Sequence, residues 1–287
     1  MKPLLEAIGV NFTYPGATAP ALQDLHLRIP QGKKTAICGH NGSGKSTFFL
    51  HAIGIHRPAS GQLIWKGADI SYQPKHLKRL RREIGLVFQD PEHQLILNTP
   101  REDISYGLRN AGMSDPEIIR RTERMIASMG LEHLTETPIH QLSLGQKKRV
   151  ALAGVLALEP ELLILDEPTA YLDRSSEKQL VWELDRIHRQ GVTVVMATHD
   201  MNLAYAWADW ILVMDRGQCV MEGSPQAVFQ DDSLLRTLGM ELPLLLEVWL
   251  ALPAMMQRRA SAPRSIDEFR SIMSSFAPSV NFHNRYQ

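Results

Sequence analysis

Net charge is missing from this chain. Its 31 Lys and Arg balance 31 Asp and Glu, so no excess of positive charge marks a surface for nucleic-acid phosphates. Cysteine is scarce. Cys38 and Cys219 are the only two in 287 residues, which argues against a disulfide framework. Cys38 falls in an apolar strand segment, the usage of a reduced cytoplasmic protein. Long hydrophobic runs are absent. The longest, Leu242 to Met256, is broken by Pro243, Glu247 and Pro253, short of the about 20 clean residues that a membrane span needs. Residues 1–8 carry too short an apolar run for a signal peptide. There is no short internal repeat and no low-complexity segment. What remains is ordinary globular composition, 44% hydrophobic, in a length that fits one large domain with a small appendage.

Gly39-His40-Asn41-Gly42-Ser43-Gly44-Lys45-Ser46-Thr47 fits G-x-x-x-x-G-K-[ST]. A chance match in a chain of this length arises about once in a hundred. The context lowers that further, because Lys34–Cys38 reads as an apolar strand and Ser46–Ile53 as a helix. Glycines let successive backbone N–H groups turn inward toward phosphate oxygens, and the helix start adds its own unpaired donors. Lys45 then reaches the β- and γ-phosphates, and the Ser46 hydroxyl suits Mg²⁺. The stretch predicts nucleotide phosphate binding.

Residues 4–14, 25–29 and 62–66 read as strands of a small antiparallel layer, separated by turn signals. Tyr14 ends the first, either as a half-buried strand tyrosine or as a ring able to stack on adenine. The basic run Lys75 to Arg82 reads as a solvated helix face. Segments 35–38, 84–88, 162–165 and 192–197 are apolar runs of buried-strand type. They alternate with helices, which predicts an α/β parallel sheet whose ligands gather at the carboxyl ends of the strands. Lys45, Gln89, Asp166, Glu167 and His199 all lie just past such ends. Two adjacent carboxylates there suit Mg²⁺ binding and water activation.

From about 95 to 158 the chain reads as an inserted helical lobe. Thr99-Pro-Arg-Glu102 and Ser114-Asp-Pro-Glu117 carry capping boxes with proline in the first turn. Ser143 and Gln146 have the same spacing and open a helix through Val155. That helix carries Lys147, Lys148 and Arg149 in its second turn. Positive charge near a helix N-terminus costs a few tenths of a kcal/mol, so the triad fits either a surface helix indifferent to the penalty or one that meets an anion.

In this order the motifs resemble those of the ATP-binding cassette ATPases, over roughly residues 4–240. The stretch 39–47 resembles their Walker A motif, Phe88-Gln89 their Q-loop, and Leu142-Ser143-Leu144-Gly145-Gln146 their signature motif. Leu162 to Pro168 resembles Walker B with its glutamate, Ala170 to Asp173 the D-loop, and His199 the switch histidine. Leu144 stands where most members have glycine, and Tyr171 where a small residue is common. Within the family, Gln89 to Gln94 and Gln146 to Val155 look like the energy-coupling-factor type, which energises uptake of trace metals and vitamins. Among these the chain is most similar to the cobalt/nickel-transport ATP-binding subunits.

The resemblance implies an ATP-hydrolysing importer subunit on the cytoplasmic face of the membrane, using ATP and Mg²⁺. Nucleotide is then sandwiched between two subunits, identical or paralogous. Ser143, Leu144, Gly145 and Gln146 of one cover the phosphate held by Lys45 of the other, and the basic triad faces that anion. Glu167 polarises the attacking water, Ser46, Gln89 and Asp166 serve Mg²⁺, and His199 holds the γ-phosphate. The partners are an integral membrane coupling subunit and a substrate-binding membrane subunit, with no nucleic acid. Leu95-Ile96-Leu97 is an apolar patch suited to the groove that receives the membrane partner. A domain of residues 1–240 is followed by a helical extension, 241–287, that resembles a dimerisation piece or packs on the main domain; residues 281–287 are expected to fray. Two other classes compete: a soluble cassette ATPase acting on nucleic acid or the ribosome, and a nucleotide-binding module without turnover.

Overall fold

A computed structural model of the chain describes residues 2–230 and 232–276; the expectation for residues 281–287 lies outside them. The elements run β1 (Pro3–Phe12), β2 (Leu22–Pro30), β3 (Lys34–Cys38), α1 (Lys45–Ala52), β4 (Ser60–Trp65), β5 (Ala68–Asp69), α2 (Pro74–Glu83) and β6 (Ile84–Val87). The lobe follows with α3 (Pro100–Ala111), α4 (Asp115–Ser128) and α5 (Leu144–Leu156). The chain returns through β7 (Leu162–Asp166), α6 (Arg174–Arg189), β8 (Thr193–Thr198), α7 (Met201–Trp207), β9 (Trp210–Asp215) and β10 (Gln218–Gly223). Short helices α8 (Pro225–Phe229), α9 (Asp232–Thr237), α10 (Leu244–Leu250), α11 (Ala254–Gln257) and α12 (Ile266–Phe276) complete it.

The antiparallel layer is β2-β1-β4-β5. The main sheet runs β10-β9-β3-β8-β7-β6, with every neighbouring pair parallel except β9 and β10. The sheet is therefore mixed, two strands wider than the four apolar runs indicated. Arg216 (φ 45°) and Gly217 (φ 79°) make the two-residue left-handed turn that matches hairpin twist. An Arg-Gly pair between an apolar run and an alternating one is the signal that marks it.

Strand side chains alternate between two cores, as a period of two requires. Ala36, Leu163, Leu165, Val194 and Met196 face the lobe with Ile104, Leu108 and Ile126. Ile37, Ile164, Val195 and Leu212 face the antiparallel layer with Phe48 and Phe49 of α1. The sheet is thus clamped from both sides, and α1 is locked behind its loop.

Two of the three capping boxes form, at Thr99–Glu102 and Ser143–Gln146. At α4 Ser114 holds the cap position, but its hydroxyl caps nothing. Glu117 is taken by Arg120 and Arg121 instead, so it does not reach back. The apolar patch also resolves differently: Leu95 is core at 9% exposure, and Ile96 alone projects, at 60%. In the extension, Leu246 and Trp249 enter the lobe-side core, with Phe269, Ile272 and Met273 packed against it. Arg264 donates to the carbonyls of Tyr205, Ala206 and Ala208 at the end of α7, where cations complement the helix dipole.

Candidate functional site

The loop 39–44 joins β3 to α1. A Cβ on Gly39 would lie 2.3 Å from the Met214 carbonyl oxygen and 2.6 Å from Ser43 Oγ, so no side chain fits there. Gly44 caps α1 at φ 104° with no side-chain bond to the first-turn donors, leaving them for an anion. Ser43 Oγ is buried and finds no hydrogen-bond partner among the described residues. An oxygen-rich anion seated in the loop would satisfy it, and so would explain an otherwise costly burial. Asn41 and Gly42 form the exposed crest. His40 Nε2 donates to the Leu238 carbonyl at 2.6 Å, tying the loop to the segment just before the C-terminal extension.

Lys45, 6% exposed, donates from Nζ to Gly39 O (2.6 Å) and His40 O (3.0 Å). Burial lowers its pKa, opposed by the charges of Glu167 and Asp166. The next residue, Ser46, donates its hydroxyl hydrogen bond to Asp166. Burial raises the Asp166 pKa, the Ser46 bond lowers it, and neighbouring Glu167 raises it again. A hydroxyl and a buried carboxylate side by side, next to a second carboxylate, form a hard oxygen set that a Mg²⁺ ion would suit and whose charge it would balance.

Glu167 is 7% exposed and adopts φ 43°. This left-handed kink breaks β7 and turns the side chain out of the strand. Its Oε2 lies 3.4 Å from Gln89 Nε2 and 3.2 Å from His199 Nδ1. Three strand ends, β6, β7 and β8, thereby contribute one residue each to a single cluster. On the other flank, Tyr14 OH lies 3.2 Å from Thr47 Oγ1, and its ring meets Phe12 and His56 edge-on. The tyrosine is 37% exposed.

The signature residues lie elsewhere. Ser143, Gly145 and Gln146 line a cavity of about 110 Å³ between α5 and α6, a cavity that Lys45, Gln89 and His199 do not line. Asp173 caps α6, accepting from Ser175 N, Ser176 N and Ser176 Oγ; the Ser176 hydroxyl leads in holding its carboxyl below the usual range. Tyr171 is 86% exposed at φ 62°.

Within this chain the three basic residues of α5 each take a different acceptor, while Lys148 and Arg149 also line the cavity beside Ser143 and Gly145. Lys147 pairs with Glu92 at 2.5 Å. Lys148 donates to Pro168 O (2.7 Å) and Ala170 O (2.8 Å), and Arg149 to Met129 O (3.3 Å). The three long side chains diverge because each meets a different acceptor brought in by the fold. Motif reading missed the Lys148 contact; the signal for it was positional, since Ala151 and Leu152, three and four residues on, are both core. Cys38 and Cys219 are free thiols, each pushed to about 12 by burial.

Residues 22–170 match the family model described as ABC transporter. The chain belongs to the ABC transporter family. The ABC cassette of Rhodobacter capsulatus called cobalt import ATP-binding protein CbiO is 40% identical over 280 residues, 96% of this chain and 99% of that protein. The energy-coupling factor transporter ATP-binding protein EcfA of Carboxydothermus hydrogenoformans is 37% identical over 276 residues, 96% and 99% of the two chains. Among solved structures, CbiO1 of Clostridium perfringens, described as part of an ABC transporter complex, is 38% identical with a TM-score of 0.74 over 89% of this chain and 98% of that one. A cassette solved as a dimer with ADP and phosphate is 29% identical, with a TM-score of 0.69 over 77% and 98%. This chain is an ABC ATPase of the energy-coupling-factor type, with the ATP-binding fold and the ATP-hydrolysing activity of that family. Among the described residues no helix is long and apolar enough to cross a membrane.

Proposed function

We propose that the chain hydrolyses ATP as one half of a cassette dimer that drives cobalt, or nickel, import on the cytoplasmic face of the membrane. The observation that carries the reading is the convergence of Gln89, Glu167 and His199 from three strand ends, with Glu167 Oε2 within 3.4 Å of both partners. A carboxylate so held is suited to accept a proton from water.

The residues divide the work. The loop 39–47 cradles the phosphates, Lys45 neutralises their oxygens and the half-exposed Tyr14 ring stacks on adenine. Ser46, Asp166 and Gln89 would hold Mg²⁺, which supplies charge neutralisation at the phosphates. Glu167 orients and deprotonates the attacking water, and His199 keeps the carboxylate in place while reaching the γ-phosphate. Stabilising charge on the transferring group is the dominant effect in such chemistry. The separation of the signature residues from Lys45 within one chain supports a shared site, in which Ser143, Leu144, Gly145 and Gln146 close over the partner's nucleotide. Asp173 fixes the start of α6 beside them. The dimeric cassette with ADP and phosphate supports the same arrangement.

The names of the relatives support cobalt and a membrane complex, and exposed Ile96 beside the Gln89 loop offers a contact for a membrane partner. The test is affinity purification of the full chain from membranes, together with cobalt and nickel uptake by the same cells. The expected result is co-purification of an integral membrane protein and ATP-dependent uptake. Ile96→Asp is expected to reduce both while nucleotide binding persists. A chain that purifies alone, or uptake independent of it, overturns the transport assignment.

A further inference from the structure

The turn that carries Glu167 is conformationally expensive. It begins and ends on residues in the left-handed region, Glu167 (φ 43°) and Tyr171 (φ 62°), and neither is glycine. Inside the turn, Ala170 N donates to Glu167 O at 3.1 Å and Leu172 N to Thr169 O at 3.2 Å. Two other carbonyls, Pro168 O and Ala170 O, point to one donor from outside. That donor is Lys148 Nζ, at 2.7 and 2.8 Å. The side chain is 4% exposed. A buried ammonium is costly unless its hydrogens are used, and here charge-assisted bonds to the turn use them. Asp90, beside Gln89, and Glu167 add their negative charges from the flanking strand ends.

The contact also crosses elements. Lys148 lies on α5, one turn past Ser143 and Gly145, and the bonded carbonyls lie 20 and 22 residues further on, after β7. A shift of α5 therefore acts on the backbone that aims Glu167. We propose that Lys148 is a positioning residue for Glu167: it grips the turn by two carbonyls, holds the carboxylate between Gln89 and His199, and ties that carboxylate to the signature helix. The inference rests on the reading of Glu167 as the group that activates water. Nothing in it requires Lys148 to touch nucleotide. In a cassette dimer the same bond would link the partner's nucleotide, read by the signature residues, to hydrolysis in this subunit's own site.

The test compares Lys148→Met, Lys148→Gln and Glu167→Gln in the full chain, with MgATP, measuring turnover, nucleotide affinity and melting temperature. Methionine keeps the length and removes every donor. Glutamine keeps two N–H groups without the charge. Lys148→Met is expected to lower kcat about 10- to 100-fold, the cost of a displaced catalytic group, with nucleotide affinity little changed. Lys148→Gln is expected to recover part of that loss, because it keeps N–H donors for the turn although the charge that strengthens them is gone. Turnover is referred to the fraction of chains that bind nucleotide, so partial misfolding does not imitate the effect. If Lys148→Met hydrolyses at the wild-type rate per binding site while Glu167→Gln is inactive, the inference fails alone. If affinity and kcat fall together in both Lys148 variants, Lys148 is merely structural and the inference fails. If Glu167→Gln retains near-normal turnover, the reading of Glu167 falls and the inference with it.

Discussion

At the residue scale the site is governed by what surrounds each charge. Asp166 and Glu167 are adjacent in sequence and similarly buried, 8% and 7% exposed, yet their neighbours differ. Asp166 accepts from Ser46, whereas Glu167 lies between Gln89 and His199. In the proposed mechanism the first serves Mg²⁺ and the second the attacking water. Glu167→Gln preserves size and most hydrogen bonding but removes the proposed base. Phosphate release is expected to fall about 10²–10⁴-fold, with ATP still bound and a nucleotide-bound dimer accumulating on gel filtration. Near-normal release would exclude Glu167 as the base. Lys148 supplies a second expectation. Burial lowers its pKa from 10.5 to about 8, so between those values the unfolded chain binds a proton that the folded chain has lost. Stability from this group therefore rises as pH climbs from about 8 to 10.5, and the penalty is complete below pH 8. Melting curves of wild type and Lys148→Met should shift relative to one another across that window, the wild type gaining on the variant. A difference that stays constant from pH 7 to 10 would contradict the depressed pKa.

At the element scale, local signals place helices well but do not decide which partner a side chain takes. Thr99 and Ser114 read alike, each with a proline within the next two residues and a glutamate three residues on. Only Thr99 forms the reciprocal bonds, since Glu117 is drawn off by two arginines one turn later. Thr99→Ala should therefore cost about 0.5–2 kcal/mol in urea unfolding, as lost caps do, and Ser114→Ala should cost clearly less. Equal losses would mean that Ser114 caps in solution. The hairpin of β9 and β10 was missed for a related reason. Residues 210–215 form an apolar run, but pairing belongs to two segments and to the Arg216-Gly217 turn between them. Leu95 and Ile96, alike in hydrophobicity, part company because the lobe core reaches only one of them.

At the scale of the whole molecule, the extension beyond residue 240 is packed into the fold over its described residues. Trp249 is 3% exposed and Leu246 7%, both in the core on the lobe side of the sheet. Leu244, Val248 and Leu250 on the same helix remain exposed, an apolar face that would suit the proposed second subunit. Trp249→Ala should destabilise the chain by about 3–5 kcal/mol, read from chemical denaturation; a loss below about 1 kcal/mol would mean that this helix is not docked in solution. Truncation after residue 240 should lower the melting temperature as well as weaken nucleotide-free dimerisation in light scattering. Unchanged stability would leave dimerisation as the extension's sole role.

The sequence by itself determined the phosphate loop, the order of the motifs, the strand ends that bear Gln89, Asp166, Glu167 and His199, and the capped starts of α3 and α5. These depend on covalent geometry, on glycine positions and on hydrogen bonds that span three or four residues, so a linear string contains them. Only the tertiary structure decided where the long side chains of Lys147, Lys148 and Arg149 end, which apolar residue of 95–97 is core, how the antiparallel strand joins the sheet, and what the extension covers. Each of those outcomes is set by groups that folding brings from distant positions, as when Lys148 meets carbonyls 20 and 22 residues away. A flexible side chain has several acceptors within reach, and only the packed structure selects among them.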